Sequence, residues 1–282
     1  MTTAQKIVKY LSVAFAVMLS AAIIGGIVGG VFSVARIGFS FTDSKSKEDD
    51  RRENTADKRL PDNVTELDIK LNVSKLKVVN GDEFTLKYAD DTVIIEQLRS
   101  ASGTALKISE KDAEIFDNIF RTVELTVPAD MVFDKIKIET DAGSVDAERI
   151  NAKELDIDCD AGSVDVARLT CSDKADIEID AGSLTVGGGE IGEFKCNIDA
   201  GKIDFCGKIT QKAEFNSDVG SVRLALNGTE SDYFIDPDRD AGSITVNGTP
   251  VKRGETVGSG NVKIDIGSGV GSVDIVFGVE TE

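Results

Sequence analysis

The chain has 282 residues, 41% hydrophobic and 29% charged, which is the balance of a folded protein with one large domain or two small ones. Its 32 basic and 50 acidic residues leave a formal net charge of -18, which repels phosphate backbones, argues against nucleic acid as a partner and leaves metal cations or basic polymers open. The absence of His removes the commonest general base, the His-containing triads and the commonest transition-metal ligand; Trp is absent too.

After a ten-residue tail, the run from Leu11 to Ala35 carries no charged residue. Its length suits a bilayer-spanning helix over 11–37, in contact with membrane lipid through Leu11 to Ala35. A cleaved signal peptide would have a shorter apolar core and a small-residue cleavage site, so the expectation is a retained anchor. Lys6 and Lys9 favour an inside N-terminus and an extracytoplasmic C-terminal domain, although Arg36, Lys45, Lys47, Arg51 and Arg52 weaken the contrast. Residues 38–62, including Ser44-Lys45-Ser46-Lys47-Glu48-Asp49-Asp50-Arg51-Arg52, have no apolar period and read as a flexible charged linker.

From 63 to 282 the pattern is that of strands. Leu67, Ile69, Leu71, Leu76 and Val78 alternate with polar residues, as do Phe84 to Tyr88, Ala105 to Ile108 and Thr122 to Val127, the last ended by Pro128. Lys111 to Phe120 is compatible with a short helical turn. A repeat then dominates. Its signature, Asp141-Ala142-Gly143-Ser144-Val145-Asp146, recurs with the leading Asp at Asp160, Asp180, Asp199, Asp218 and Asp240, in steps of 19, 20, 19, 19 and 22 residues.

Around each Asp the side chains sort into two faces. Positions five, three and one before it hold Leu155, Ile157 and Cys159 in one copy, Ala175, Ile177 and Ile179 in the next, and Phe194, Cys196 and Ile198 in the third. These point inward, and the residues between them (Asp156 and Asp158, Asp176 and Glu178, Lys195 and Asn197) point outward. After the bend, Val145, Val164, Leu184, Ile203, Val222 and Ile244 begin a second inward set, and Ile150, Leu169, Ile191 and Ile209 close a third side. Aligning Asn72 with the repeat Asp makes Leu67 to Val78 a divergent first coil, and Gly269 takes the Asp position in the last. The fold expected is therefore all-β, a solenoid of coils of about 20 residues stacked about 4.8 Å apart that share one core.

Gly143, Gly162, Gly182, Gly201, Gly220 and Gly242 occupy the bend, where the backbone needs positive φ or a neighbouring coil leaves no room for a Cβ. Asp141, Asp160, Asp180, Asp199, Asp218 and Asp240 suit Asx-turns that accept hydrogen bonds from amides two residues on. Stacked, they would repel by about 1 kcal/mol per adjacent pair even in water, so a cation ladder, calcium above all, is the sharper alternative. The calcium β-roll motif itself, Gly-Gly-x-Gly-x-Asp, is not present in the bend, and no other cofactor is expected.

Pairs such as Asp156 and Asp158 lie on a solvated strand face, not in a cleft that would separate their pKa values as a glycosidase needs. Ser144, Ser163, Ser183, Ser221 and Ser243 follow the glycines with no base marked out beside them. Gly187-Gly188-Gly189 lacks the Lys of a phosphate loop and loosens a coil corner. Among the cysteines there is no C-x-x-C pair; Cys159 and Cys196 fall on inward positions, and Cys171 and Cys206 lie outside that strand.

The segment Arg121-Thr122-Val123-Glu124-Leu125-Thr126-Val127-Pro128-Ala129-Asp130, leading through Phe133-Asp134-Lys135-Ile136-Lys137-Ile138-Glu139-Thr140 into Asp141-Ala142-Gly143-Ser144-Val145, resembles a bacterial adhesin-like family of β-strand-repeat domains of unknown function. The likeness runs from about Leu67 to Phe277. It implies a right-handed single-chain β-solenoid, commonly extracytoplasmic and often tethered by a membrane helix, and it supplies no functional residues. The expected function is that of a non-enzymatic cell-envelope protein that presents its solenoid to an unidentified surface ligand for binding or scaffolding. The alternatives are an accessory or sensory subunit of a cell-envelope stress system that binds another membrane protein, and, more remotely, a β-helix polysaccharide-active enzyme, for which the loops are too short.

Overall fold

The computed structural model describes residues 55–89, 92–100, 103–111, 121–252 and 254–279. The anchor helix expected over 11–37, most of the 38–62 linker and nearly all of Lys111 to Phe120 lie outside the described residues. Among the described residues no helix is long and apolar enough to cross a membrane.

Strand structure begins inside the stretch read as linker. There β1 (Thr55–Arg59) pairs antiparallel with β4 (Thr85–Ala89), and the Leu60 amide donates to the Phe84 carbonyl at 2.8 Å. Four of its five side chains are exposed, so it is held by backbone pairing and shows no apolar period. The next strands are β2 (Val64–Leu71), β3 (Lys75–Gly81), β5 (Val93–Arg99), β6 (Thr104–Glu110), β7 (Thr122–Pro128), β8 (Phe133–Thr140) and β9 (Ser144–Ala147). Then come the long strands β10 (Ile150–Val166), β11 (Leu169–Val186) and β12 (Gly189–Leu226), the last spanning two coils. A 3-10 turn at Glu230–Asp232 leads to β13 (Tyr233–Val246), β14 (Thr249–Pro250), β15 (Val257–Gly258) and β16 (Val262–Phe277).

The repeats stack in parallel and in register. Leu155, Ile157 and Cys159 lie opposite Ala175, Ile177 and Ile179, which lie opposite Phe194, Cys196 and Ile198, and all nine are buried. The expected first coil is present too. Leu71 pairs with Thr140, and the Ala142 amide donates to the Asn72 carbonyl at 2.7 Å, which puts Asn72 beneath Asp141. Ile150, Leu169, Ile191 and Ile209 seal the third side and are buried, and Cys171 joins them there. Each well-buried Val, Leu or Ile contributes about 1.5–3 kcal/mol, and no coil buries its set without neighbours.

The bend is a corner within a continuous ladder. Cys159 and Val164 are both buried, with Asp160 and Ala161 exposed and Gly162 and Ser163 half-buried between them. Five steps from one inward residue to the next is an odd number, so the inward set changes parity and the strand turns onto a second side.

Order along the stack departs from order in the chain at both ends. At one end β6 and β7 lie outside β2 and β3, which pair on their other edge with β8 and β9. At the other end β16 lies between the second half of β12 and β13. In each case the outermost coil is the one with a hairpin partner close in sequence: β5 pairs antiparallel with β6, and β14 with β13. A short hairpin delivers an antiparallel strand, whereas another parallel strand needs a long crossover, so this order lets hairpins pair along β6 and at the two ends of β13.

Candidate functional site

The first side is a polar surface whose outward residues form three columns at four, two and zero residues before each bend. Along the first column stand Asp68, Lys137, Asp156, Asp176 and Lys195, and along the second Lys70, Glu139, Asp158, Glu178 and Asn197. Acidic residues dominate the middle coils, where the strand register places Asp156 beside Asp176 and Asp158 beside Glu178.

Cations neutralise the margins of this face. Lys137 and Lys70 reach Glu139 at 2.5 and 3.2 Å and hold its carboxyl below the usual carboxylate range. Lys174 reaches Asp176 at 2.7 Å, and Lys195 lies 3.5 Å from Glu178. Amides add a small ladder: Asn197 Nδ2 donates to Glu178 Oε1 at 3.3 Å, and Asn216 Nδ2 to Asn197 Oδ1 at 3.0 Å. Among the described residues no ion pair reaches Asp158, Asp160 or Asp180 at the centre. Partial burial, then the neighbouring carboxylates Asp160, Glu178, Glu139 and Asp180, push Asp158 upward; partial burial, then Asp199, Asp160 and Glu178, do the same to Asp180.

The third column contains the repeat Asp residues. Asp141, Asp160, Asp180, Asp199 and Asp218 are exposed, and their backbones stack. Asp240 does not follow Asp218. Because β16 is inserted, Gly269 stands between them in register and interrupts the column. In the bend itself the Ala161 N–H donates to the Asp141 carbonyl of the neighbouring coil at 2.9 Å, so the parallel ladder runs on through the corner. Among the described residues no three His, Cys, Asp or Glu side chains converge to hold a metal ion.

The bend glycines are explained by close approach. A Cβ at Gly162 would lie 1.8 Å from the Gly143 carbonyl oxygen, and one at Gly182 would lie 1.7 Å from that of Gly162. The same contact recurs from Gly201 to Gly182, Gly220 to Gly201 and Gly271 to Gly220, each at 1.8 Å, and from Gly242 to Gly271 at 1.7 Å.

Ser183 lies in register with Lys202, and Ser144 with Lys75. Neither amine is a free base: Lys202 is ion-paired to Asp204 at 2.9 Å and Lys75 to Asp146 at 2.7 Å. Cys159, Cys171 and Cys196 are free, buried thiols, and burial pushes Cys159 and Cys171 up to about 11 and Cys196 higher still. Cys206 is half-buried.

One residue had no signal in the sequence. The Glu110 carboxylate accepts hydrogen bonds from the amides of Asn72, Val73 and Ser74 at 2.6, 3.1 and 3.3 Å and from Ser74 Oγ at 2.7 Å. It closes the bend of the first coil on the side where the outermost coil makes no bend of its own among the described residues, and only the out-of-order stacking brings it there.

Fold and surface together define an all-β, coil-stacked repeat domain with one solvated acidic side. The chain belongs to the Toastrack DUF4097 family, whose model matches residues 63–275. It is similar to several solved structures. One, a "putative cell adhesion protein" from Clostridium sporogenes, is 18% identical, with 79% of this chain and 98% of that one covered and a TM-score of 0.41. A "putative adhesin" from Parabacteroides distasonis is 17% identical over 78% of this chain and 95% of that one, TM-score 0.42. A "putative lipid binding protein" from the same organism is 15% identical over 79% and 97%, TM-score 0.34. No curated protein matches the chain.

Proposed function

We propose that this is a membrane-anchored, non-enzymatic envelope protein whose coil stack presents its acidic first side to a basic partner, for binding or scaffolding. The observation that carries the reading is the acidic centre of that side: Asp158, Asp160 and Asp180 occupy two adjacent coils without an ion pair among the described residues, Glu178 beside them shares only Lys195 at 3.5 Å, and Asp158 and Asp180 are raised by their surroundings. Like charges held at strand spacing on a rigid sheet are relieved by an incoming cation at no cost in rearrangement. The anchor is supported by the uncharged run from Leu11 to Ala35.

The test compares two neutralised forms of the full chain in detergent on immobilised polylysine. Changing Asp158, Asp160, Glu178 and Asp180 to their amides should shift elution to lower salt much further than the same change at Asp146, Asp165, Asp204 and Asp274 on the second side. Equal shifts would show attraction by net charge alone and defeat the assignment of the face. Protease treatment of intact cells tests the location, since a protected C-terminal domain contradicts surface display. Co-purification of one stoichiometric membrane protein would favour the accessory-subunit reading instead.

A further inference from the structure

The long strand β16 lies between two walls contributed by earlier parts of the chain. β16 pairs in parallel with β12 from Lys212↔Lys263 to Leu226↔Phe277, and with β13 from Tyr233↔Val262 to Val246↔Ile275. Among the described strands β13 has no other strand pairing to the stack, its remaining strand partners being the short β14 and β15. Both long walls of the slot precede its occupant in the chain, so the site is defined without reference to which molecule supplies the strand.

The slot is selective. A Cβ on the occupant at position 271 would lie 1.8 Å from the Gly220 carbonyl oxygen, and one at 269 would lie 2.5 Å from that of Asp218, so glycine is required at both. Ile264, Ile266, Val273 and Ile275 fill the core beside it and are essentially fully buried. An arbitrary peptide fails these conditions; β16 of a second copy meets all of them. The connection from β13 to β16 suits an opening hinge, with Asn247 at φ 48°, Gly248 and Gly254 at 76° and Gly258 at 79°, and no heavy atom within 4 Å of a Cβ built on Gly248 or Gly254.

We propose that β16 is an exchangeable strand, seated in its own slot in the monomer and in the slot of a second copy in a swapped dimer. Val219 and Val270 provide the test, being exposed and directly opposite one another across β12 and β16. Full-length V219C/V270C protein, isotopically heavy and light, is mixed in detergent at high concentration, briefly warmed, cooled and oxidised. Mass spectrometry of the disulfide-linked peptides should then find heavy–light 219–270 links at the statistical proportion, and none when the two forms are mixed only after oxidation. Links confined to one isotope at every concentration would overturn the proposal.

A second measurement uses the unsubstituted chain and covers the case in which the double variant fails to fold. Amide exchange over 262–277 should run at least tenfold faster than over 169–186, since exchange of the strand requires it to leave the slot. Equal protection of the two segments would also overturn it.

Discussion

A methyl group added at Gly201 would sit 1.8 Å from the Gly182 carbonyl oxygen, in a ladder whose backbone cannot retreat without breaking the register above and below. Gly201→Ala should therefore cost at or beyond the upper end of the about 1–3 kcal/mol usual for overpacking, read as a fall in the urea midpoint. Gly248→Ala is the control. That glycine has φ 76° in open space, so only the backbone conformation resists the change, at about 1 kcal/mol. The cysteines should divide by burial: native alkylation at pH 8 should modify Cys206 and leave Cys159, Cys171 and Cys196 unreacted until the protein unfolds, since raised pKa and enclosure both suppress the thiolate. Asp180 sets a pH dependence. Its folded pKa is raised, so the folded state holds its proton more firmly than the unfolded state does. Its ionised form is a liability at neutral pH, and that liability fades as pH falls through the raised value towards about 3.9. Asp180→Asn should be the more stable protein at pH 7, with an advantage that shrinks at pH 4 in paired denaturant titrations.

At the scale of the element, a coil is stable through what its neighbours place beside it. Phe194, Phe205 and Phe215 come from the two coils of β12, with ring centroids 5.2–5.8 Å apart, and Phe194 and Phe215 meet edge to face. Truncating Phe215 to Ala leaves a cavity between rigid ladders that cannot collapse, so a loss of about 3–5 kcal/mol is expected in thermal or urea unfolding. Coil ends need different devices. Tyr233 is buried where β13 begins, and its hydroxyl donates to the Asn227 carbonyl at 2.6 Å, while Glu110 serves the opposite end by receiving three successive amides.

Across the whole molecule, the chain has a net charge of -18 and its coils align like charges, so electrostatic self-repulsion opposes folding. Adding sodium chloride should raise Tm by screening it. Calcium should do no more than sodium at matched ionic strength, because no three acidic side chains among the described residues converge on one point; a calcium-specific rise reversed by chelator would restore the cation ladder. The exchanged order of coils at both ends belongs to this scale as well, since it decides which coil lies outermost and which hairpin pairs with it.

Much of this was legible in the residues themselves. A period near 20 residues, two inward sets of opposite parity and a glycine at each of the six repeat corners determine a stack of parallel coils, since period and parity are local properties of strand geometry. The placement of Asn72 beneath Asp141, and of Cys159 and Cys196 in the core, follows from the same register. Stacking order is not local. Coils built to one pattern present nearly interchangeable edges, so position along the chain cannot say whether β13 or β16 meets β12. That choice depends on which edges the hairpins can reach, and only the tertiary structure shows it. With it come the separation of Asp240 from Asp218 by Gly269, the cap at Glu110 and the slot that β16 fills.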